Sequence, residues 1–275
     1  MKISFQKLIF YFSFSLIASF SIFVWARFIE PNLFQIERLE FQVEGFSGKN
    51  LKILHITDSH TNGWTKNEAD VLKAIKKTNP NLIFLTGDLV DWKTRDLTAC
   101  KRLWEGITDG YEGKVWAVLG NHEHRNPRLA EIKELLKETG IKVLDNETKK
   151  IAVNGASFYL TGVDDPHLEF ADLKKAMHDI PVGGFKILLA HSPEIFEQAK
   201  EYDFYLALVG HTHGCQVNIP FICPNIISMT RGKEYVQGLF EEDGMKLYVN
   251  RGAGETFIPI RFNALPQVAL IIINP

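Results

Sequence analysis

The chain is 275 residues long, with 45% apolar residues, 23% charged residues and a formal net charge of −2. That composition excludes a disordered chain, and the length supplies ample core for one large domain. With 31 basic against 33 acidic residues and no long basic run, nothing marks a nucleic-acid-binding surface.

The first element is an uncharged run, Leu8 to Ala26, with Lys2 and Lys7 before it and Arg27 after it. A helix needs about 20 apolar residues to cross a bilayer core, so this run is long enough. It also exceeds the apolar region of about 7–15 residues typical of a cleaved secretory signal. We therefore expect residues 1–27 to form a membrane anchor, with a cleaved signal as the alternative. Trp25 stands where an interfacial aromatic is favoured. The leading lysines place the N-terminus inside and the rest of the chain outside the cell membrane, although Arg27 and Arg38 oppose that bias. A connector containing Pro31 follows (residues 28–39), and one domain is expected over residues 40–275.

Within that domain, strand-length apolar runs recur at Leu51–Thr57, Leu82–Thr86, Val115–Leu119, Ser157–Val163, Lys186–Ala190, Phe204–Val209, Lys246–Asn250 and Val268–Ile273. Most are continuous rather than alternating, as expected of strands covered on both faces. Helical stripes lie between them: Val71, Leu72 and Ile75, then Leu129, Ile132, Leu135 and Leu136, with Gly140 as a C-terminal stop. Strand–helix alternation in the first half predicts βαβ units, and the strand-rich second half predicts a second sheet.

Five of these runs end in a polar motif: Asp58-Ser59-His60, Gly87-Asp88-Leu89-Val90-Asp91, Gly120-Asn121-His122-Glu123, Ala190-His191, and Gly210-His211-Thr212-His213. Active sites of such folds gather at the carboxyl ends of strands. The motifs supply carboxylate, carboxamide and imidazole donors without a thiolate, a set suited to two divalent cations of the Mn, Fe or Zn kind. If the backbone stays extended after the first run, Asp58 and His60 point the same way and grip one ion. Asp88 has two oxygens and is able to bridge two metals about 3.5–4 Å apart. Of the other histidines, His55 reads as a core residue and His178 as a surface one. His124 and His167 are weighed as pocket-lining residues and set aside.

The ordered set D-x-H, G-D-x-x-D, G-N-H-E, H and G-H-x-H, from about residue 51 to residue 215, resembles the calcineurin-like metallophosphoesterase superfamily. The N-terminal apolar segment, Arg27-Phe28-Ile29-Glu30-Pro31 and the tail Asn250-Arg251-Gly252-Ala253-Gly254 … Pro259-Ile260-Arg261-Phe262 resemble its bacterial membrane-anchored branch. That branch includes phosphodiesterases and a UDP-2,3-diacylglucosamine pyrophosphatase. The resemblance implies an α/β (α+β by some schemes) four-layer sandwich of two mixed sheets flanked by helices. It places Asp58, His60, Asp88 and His213 on one metal, and Asp88, Asn121, His191 and His211 on the other, with Mn favoured. It further implies in-line attack by a metal-bridging hydroxide on a phosphodiester or pyrophosphate, the leaving oxygen being protonated by His122 and His122 being oriented by Asp91.

A non-catalytic scaffold of the same fold is the rival reading; retention of Asp88, Asn121, His122 and His191 argues against it. A nuclease is disfavoured by the acidic charge balance. Cys100, Cys215 and Cys223 show neither metal-finger spacing nor a disulfide framework. Cys215 replaces a second glycine that the branch usually carries, and is expected to be an inert packed thiol. The apolar stretch Val217–Met229 is expected to pack into the core as a hairpin, ahead of the alternative of an apolar lip for acyl chains or the bilayer.

Overall fold

The computed structural model describes residues 5–46, 48–219, 221–223, 229 and 231–275. Among the described residues, twelve strands form two six-stranded sheets. In chain order they are β1 (Gln35–Gln42), β2 (Leu51–Ile56), β3 (Leu82–Thr86), β4 (Val115–Val118), β5 (Lys142–Val143) and β6 (Glu147–Val153). Then come β7 (Ala156–Gly162), β8 (Lys186–Leu189), β9 (Leu206–Val209), β10 (Gly238–Glu242), β11 (Met245–Val249) and β12 (Gln267–Asn274). The first sheet runs β1-β12-β2-β3-β4-β5 and the second β10-β11-β9-β8-β7-β6. Both are mixed: β12 pairs antiparallel with β2, and β10–β11 and β6–β7 are antiparallel in the second sheet.

One core lies between the sheets, where Ile53, Phe84, Val118, Phe158, Leu189, Leu208 and Ile271 meet. The outer face of the first sheet is covered by α2 (Lys66–Thr78), α3 (Thr98–Thr108) and α5 (Leu129–Glu138), which bury Val71, Ile75, Trp104, Ile132 and Leu136. Short helical turns over Leu173–Ala176 and Phe196–Ala199 cover the second sheet, and the result is the expected four-layer sandwich. Local chemistry sets the helix ends. Thr65 and Glu68 close a capping box on α2. Gly140, at φ +84°, follows α5 with Ile141 N–H reaching back to the Leu136 carbonyl at 2.9 Å.

The helix α1 (Phe5–Val24) has no buried residue. With the turns after it, Phe5–Asn32 is long and apolar enough to cross a membrane by length and composition. The strand β1 begins at Gln35, inside the stretch expected to be a connector, and pairs in parallel with β12. His55 is fully buried, with Nε2 2.7 Å from Thr86 Oγ1, and burial pushes its pKa down to about 3. His178 is exposed beside Asp179.

An imidazole held neutral in the fold but titrating near 6.5 in the unfolded chain has no effect on stability at neutral pH. Below 6.5 the unfolded chain binds a proton that the fold excludes, so stability falls by about 1.4 kcal/mol per pH unit until the folded pKa is reached. From pH 7 to pH 5, His55 alone should therefore cost about 2 kcal/mol of stability. In a His55→Gln variant, which keeps a donor near Thr86 but does not titrate, that part of the acid sensitivity should vanish. Urea unfolding of both proteins at the two pH values checks it; equal losses would refute the assignment.

Candidate metal centre

The motif residues meet at one edge of the sandwich because β2, β3, β4, β8 and β9 all end there. Past the strands, the loops after β2 and β3 keep running in parallel: Asp58 N–H donates to the Gly87 carbonyl at 3.0 Å and His60 N–H to that of Asp88 at 2.9 Å. The backbone is not extended there, contrary to expectation. Asp58 (φ +50°), His60 (+43°), Asp88 (+49°), His211 (+71°) and His213 (+52°) are all left-handed. Non-glycine residues in that region carry strain and persist only where their surroundings impose it. The turn also requires Gly87, at φ +83°: a Cβ there would lie 2.6 Å from Gly120 N and 2.9 Å from His191 Nδ1.

Two groups of donors result, and Asp88 lies between them. On one side, His213 Nε2 is 3.3 Å from Asp58 Oδ1 and 2.9 Å from His60 Nε2, which is 3.7 Å from Asp88 Oδ2. On the other, His191 Nε2 is 3.2 Å from Asp88 Oδ2, 3.1 Å from Asn121 Oδ1 and 3.1 Å from His211 Nδ1. His191 Nδ1 donates to the Thr86 carbonyl at 2.8 Å, which leaves the Nε2 lone pair facing the oxygens of Asp88 and Asn121. Acceptors facing acceptors in a buried site need positive charge between them, as a cation or a second proton on His191.

The electrostatics agree. Burial acts to lower the His191 pKa, but the carboxylates of Asp88, Asp58 and Asp165 outweigh it and raise it well above the usual range. Burial holds His60 and His211 down to about 3 and His213 lower still, so these are neutral imidazoles with lone pairs to give. Burial raises the Asp58 carboxyl to about 7. Burial also acts to raise Asp88, but His191, His122 and His60 hold it well below the usual carboxylate range. The residues fit divalent cations.

His122 lies in the first turn of α4 (Asn121–Arg125), its Nε2 3.8 Å from Asp88 Oδ2. Its Nδ1 accepts from Trp92 N–H at 3.3 Å, which places the proton of the neutral ring on Nε2, toward the cleft. Asp91 Oδ2 stands 3.7 Å from His122 Nδ1, beyond hydrogen-bond reach, so the ring is oriented by the Trp92 amide with Asp91 as a nearby charge.

The model of the calcineurin-like phosphoesterase family matches residues 51–215 of the chain. The chain belongs to that family. It is 30% identical over 261 residues to the metallophosphoesterase YkuE of Bacillus subtilis, spanning 91% of this chain and 89% of that protein. It is 27% identical to the phosphodiesterase YaeI of Escherichia coli, spanning 93% and 94%. With the UDP-2,3-diacylglucosamine pyrophosphatase LpxG of Chlamydia trachomatis it shares 25% identity, spanning 90% and 92%. This metallophosphoesterase is thus a metal-dependent phosphoester hydrolase.

Several features of the metallophosphoesterase site escaped the sequence reading. Glu123 is buried and accepts from three backbone amides: Asp88 N–H at 2.9 Å, Val90 N–H at 2.9 Å and Gly120 N–H at 2.8 Å. It braces the Asp88 turn against the start of α4. Its place in G-N-H-E was the only signal. His167 lines the cleft, its ring 4.7 Å from that of His211 and its Nδ1 3.0 Å from Glu194 Oε2. His124 instead pairs with Asp164 at 2.6 Å. Asp165 is buried and accepts from the His167 and Leu168 amides, so it serves the turn.

One expectation is corrected. Cys215 is not an inert thiol: it is disulfide-bonded to Cys223, with Cα atoms 5.8 Å apart. A single pair separated by eight residues forms no recognisable framework, which is why the spacing was silent. The described residues of Val217–Met229, the stretch expected to pack into the core as a hairpin, divide between core and surface. Cys223 and Met229 are buried and Ile219, Phe221 and Ile222 are exposed, while the disulfide and the pairing of Val217 with Phe262 fix Cys215 and Val217 at the cleft. Pro220, residues 224–228 and Thr230 lie outside the described residues. The cleft has a volume of about 390 Å³, with Asp88, Asn121 and His122 in its floor and Val217, Phe257 and Ile258 in its wall.

Glu123→Gln should show the bracing. The amide offers one oxygen where the carboxylate serves three amides, so we expect a loss of about 2–4 kcal/mol of stability. Weaker Mn²⁺ binding, by roughly 10–100-fold, should accompany it. Chemical unfolding and calorimetric metal titration measure both; unchanged values would remove Glu123 from the architecture of the site.

Proposed function

We propose that the protein is a membrane-anchored phosphoesterase that uses two divalent cations on a phosphodiester or pyrophosphate bond. Asp58, His60, Asp88 and His213 hold one cation, Asp88, Asn121, His191 and His211 hold the other, and Mn is favoured. The position of Asp88 Oδ2, shared between the two donor groups, carries this reading. When bound, such cations lower the pKa of water and neutralise charge on phosphoryl oxygens. The chain supplies the rest. His122 presents its Nε2 proton to the cleft and donates it to the leaving oxygen, and the charge of Asp91 favours recovery of that proton. The Phe257 ring stands 6.4 Å from that of His122, on the wall of the cleft.

Residues 1–27 are the anchor, with α1 crossing the bilayer and the catalytic domain outside. The Cys215–Cys223 disulfide supports that side, since disulfides persist in oxidising compartments. The substrate is then an envelope phosphoester, lipid-linked in view of the apolar cleft wall. A second reading, hydrolysis of UDP-2,3-diacylglucosamine, is favoured by the end-to-end match to LpxG. It requires a site facing the cytoplasm.

With Mn²⁺ and an aryl phosphodiester, Asp88→Asn should lose turnover by about a thousandfold or more along with bound metal, because the shared charge is gone. His122→Ala should keep its metal and slow by roughly 10²–10⁴-fold. Full metal occupancy and normal turnover in Asp88→Asn would refute the mechanism. Release of UMP from UDP-2,3-diacylglucosamine, followed by phosphorus NMR with Asp88→Asn as blank, decides the second reading.

A further inference from the structure

The segment Asn250–Ala264 joins three parts of the molecule that the sequence keeps far apart. At one end, Ala253 N–H donates to the Thr57 carbonyl at 3.1 Å and Gly254 N–H to that of Asp58 at 2.8 Å, against the metal-ligand turn. In the middle, the Gln216 side chain clamps it, donating to the Thr256 and Ile258 carbonyls at 3.1 and 2.7 Å and accepting from Thr256 N–H at 2.8 Å. At the other end, Arg261 N–H donates to the carbonyl of Ala26 at 2.9 Å and Ala264 N–H to Glu30 Oε1 at 2.7 Å. Glu30, buried, also accepts from Trp25 Nε1 at 2.8 Å. The fully buried Arg261 guanidinium ties the segment into one unit by donating to the carbonyls of Arg251, Gly252, Gly254 and Ala264.

The base of α1 is therefore fixed to the rim of the cleft rather than tethered to it. Trp25 and Arg27 mark the interfacial level of a membrane-crossing helix. Ala26, between them, touches Arg261, and Ile258 is three residues away, at most about 11 Å of extended chain. Phe257 and Ile258 are 74% and 59% exposed on the rim. Phe28, Ile29 and Leu33 are exposed at the helix base, and Ile222 is exposed beside Cys223 of the disulfide. Large exposed apolar side chains at the mouth of a cleft and at the base of a membrane-crossing helix mark an interaction site.

We infer that the rim of the cleft, with Phe257 and Ile258 at its tip, is seated in the headgroup layer of the bilayer that α1 crosses, so that phosphoesters enter the metal centre directly from the membrane. This rests on the anchored reading proposed above. A cleft of about 390 Å³ takes a headgroup-sized moiety, and the hydrocarbon chains stay in the lipid.

The full chain in nanodiscs of phosphatidylcholine and phosphatidylglycerol tests it, with a bimane probe on a single introduced cysteine. Labelling is selective because Cys100 is buried and Cys215 and Cys223 are paired. Ile258→Cys and Phe257→Cys report on the rim. Phe14→Cys reports on α1, and Val182→Cys, 96% exposed before β8 at the opposite edge of the sheet, reports on water. A shallow nitroxide lipid should quench the rim probes, and iodide should quench them with a constant roughly threefold or more below that at Val182. Rim probes quenched by iodide as fully as Val182, with Phe14 quenched by lipid, would overturn the seating and leave the anchor standing. Absence of lipid quenching at Phe14 would overturn the anchor and the seating together.

Discussion

The constraint on which the structure turns is the convergence of lone pairs around Asp88. The neutral imidazoles of His60, His211 and His213, the His191 ring, the Asn121 carboxamide oxygen and the Asp58 and Asp88 carboxyl groups crowd together, acceptor facing acceptor unless a cation or a second proton on His191 stands between them. Such a cluster is unfavourable unless positive charge enters it, and that unfavourable energy is what divalent cations relieve. Bringing the donors together requires a left-handed backbone at five of the seven proposed ligand positions. The strain is held in place by the surrounding order: parallel loop pairing after β2 and β3, glycine at position 87, and Glu123 binding three amides at once.

The two sheets matter to this chemistry because neither carries a complete site. Asp58, His60, Asp88 and Asn121 follow strands of the first sheet; His191, His211 and His213 follow strands of the second. Each donor group takes members from both, so bound cations would fasten the sheets together at one edge while the apolar core fastens them along their faces. Binding and folding are then linked, and metal affinity in part reports how well the sheets are docked.

The same edge receives the N-terminal helix. The buried Glu30 and Arg261 are an unusual use of charge, each enclosed and answered by backbone groups or an indole rather than by a close ion pair. Buried polar groups that several backbone partners hold specify one arrangement, because an alternative leaves those bonds unmade. Here the arrangement specified is the angle between α1 and the catalytic cleft.

The central strands were legible in the sequence and the edge strands were not. All eight apolar runs became strands, since a strand covered on both faces is apolar throughout. The four strands without such a run, β1, β5, β6 and β10, are the four sheet edges. Exposure there allows polar residues such as Glu37, Lys149 and Glu241, and β5 has only two residues. The donors were legible for a similar reason: each follows an apolar run, and their order narrows the chemistry. The sequence by itself determined the layers, the donor set and the family. Tertiary structure decided the left-handed turns, the bracing by Glu123, the Cys215–Cys223 bond, the proton position on His122 and the exposure of the cleft rim. These depend on which segments lie side by side, and that is set by contacts across the sheets, which no local pattern of residues encodes.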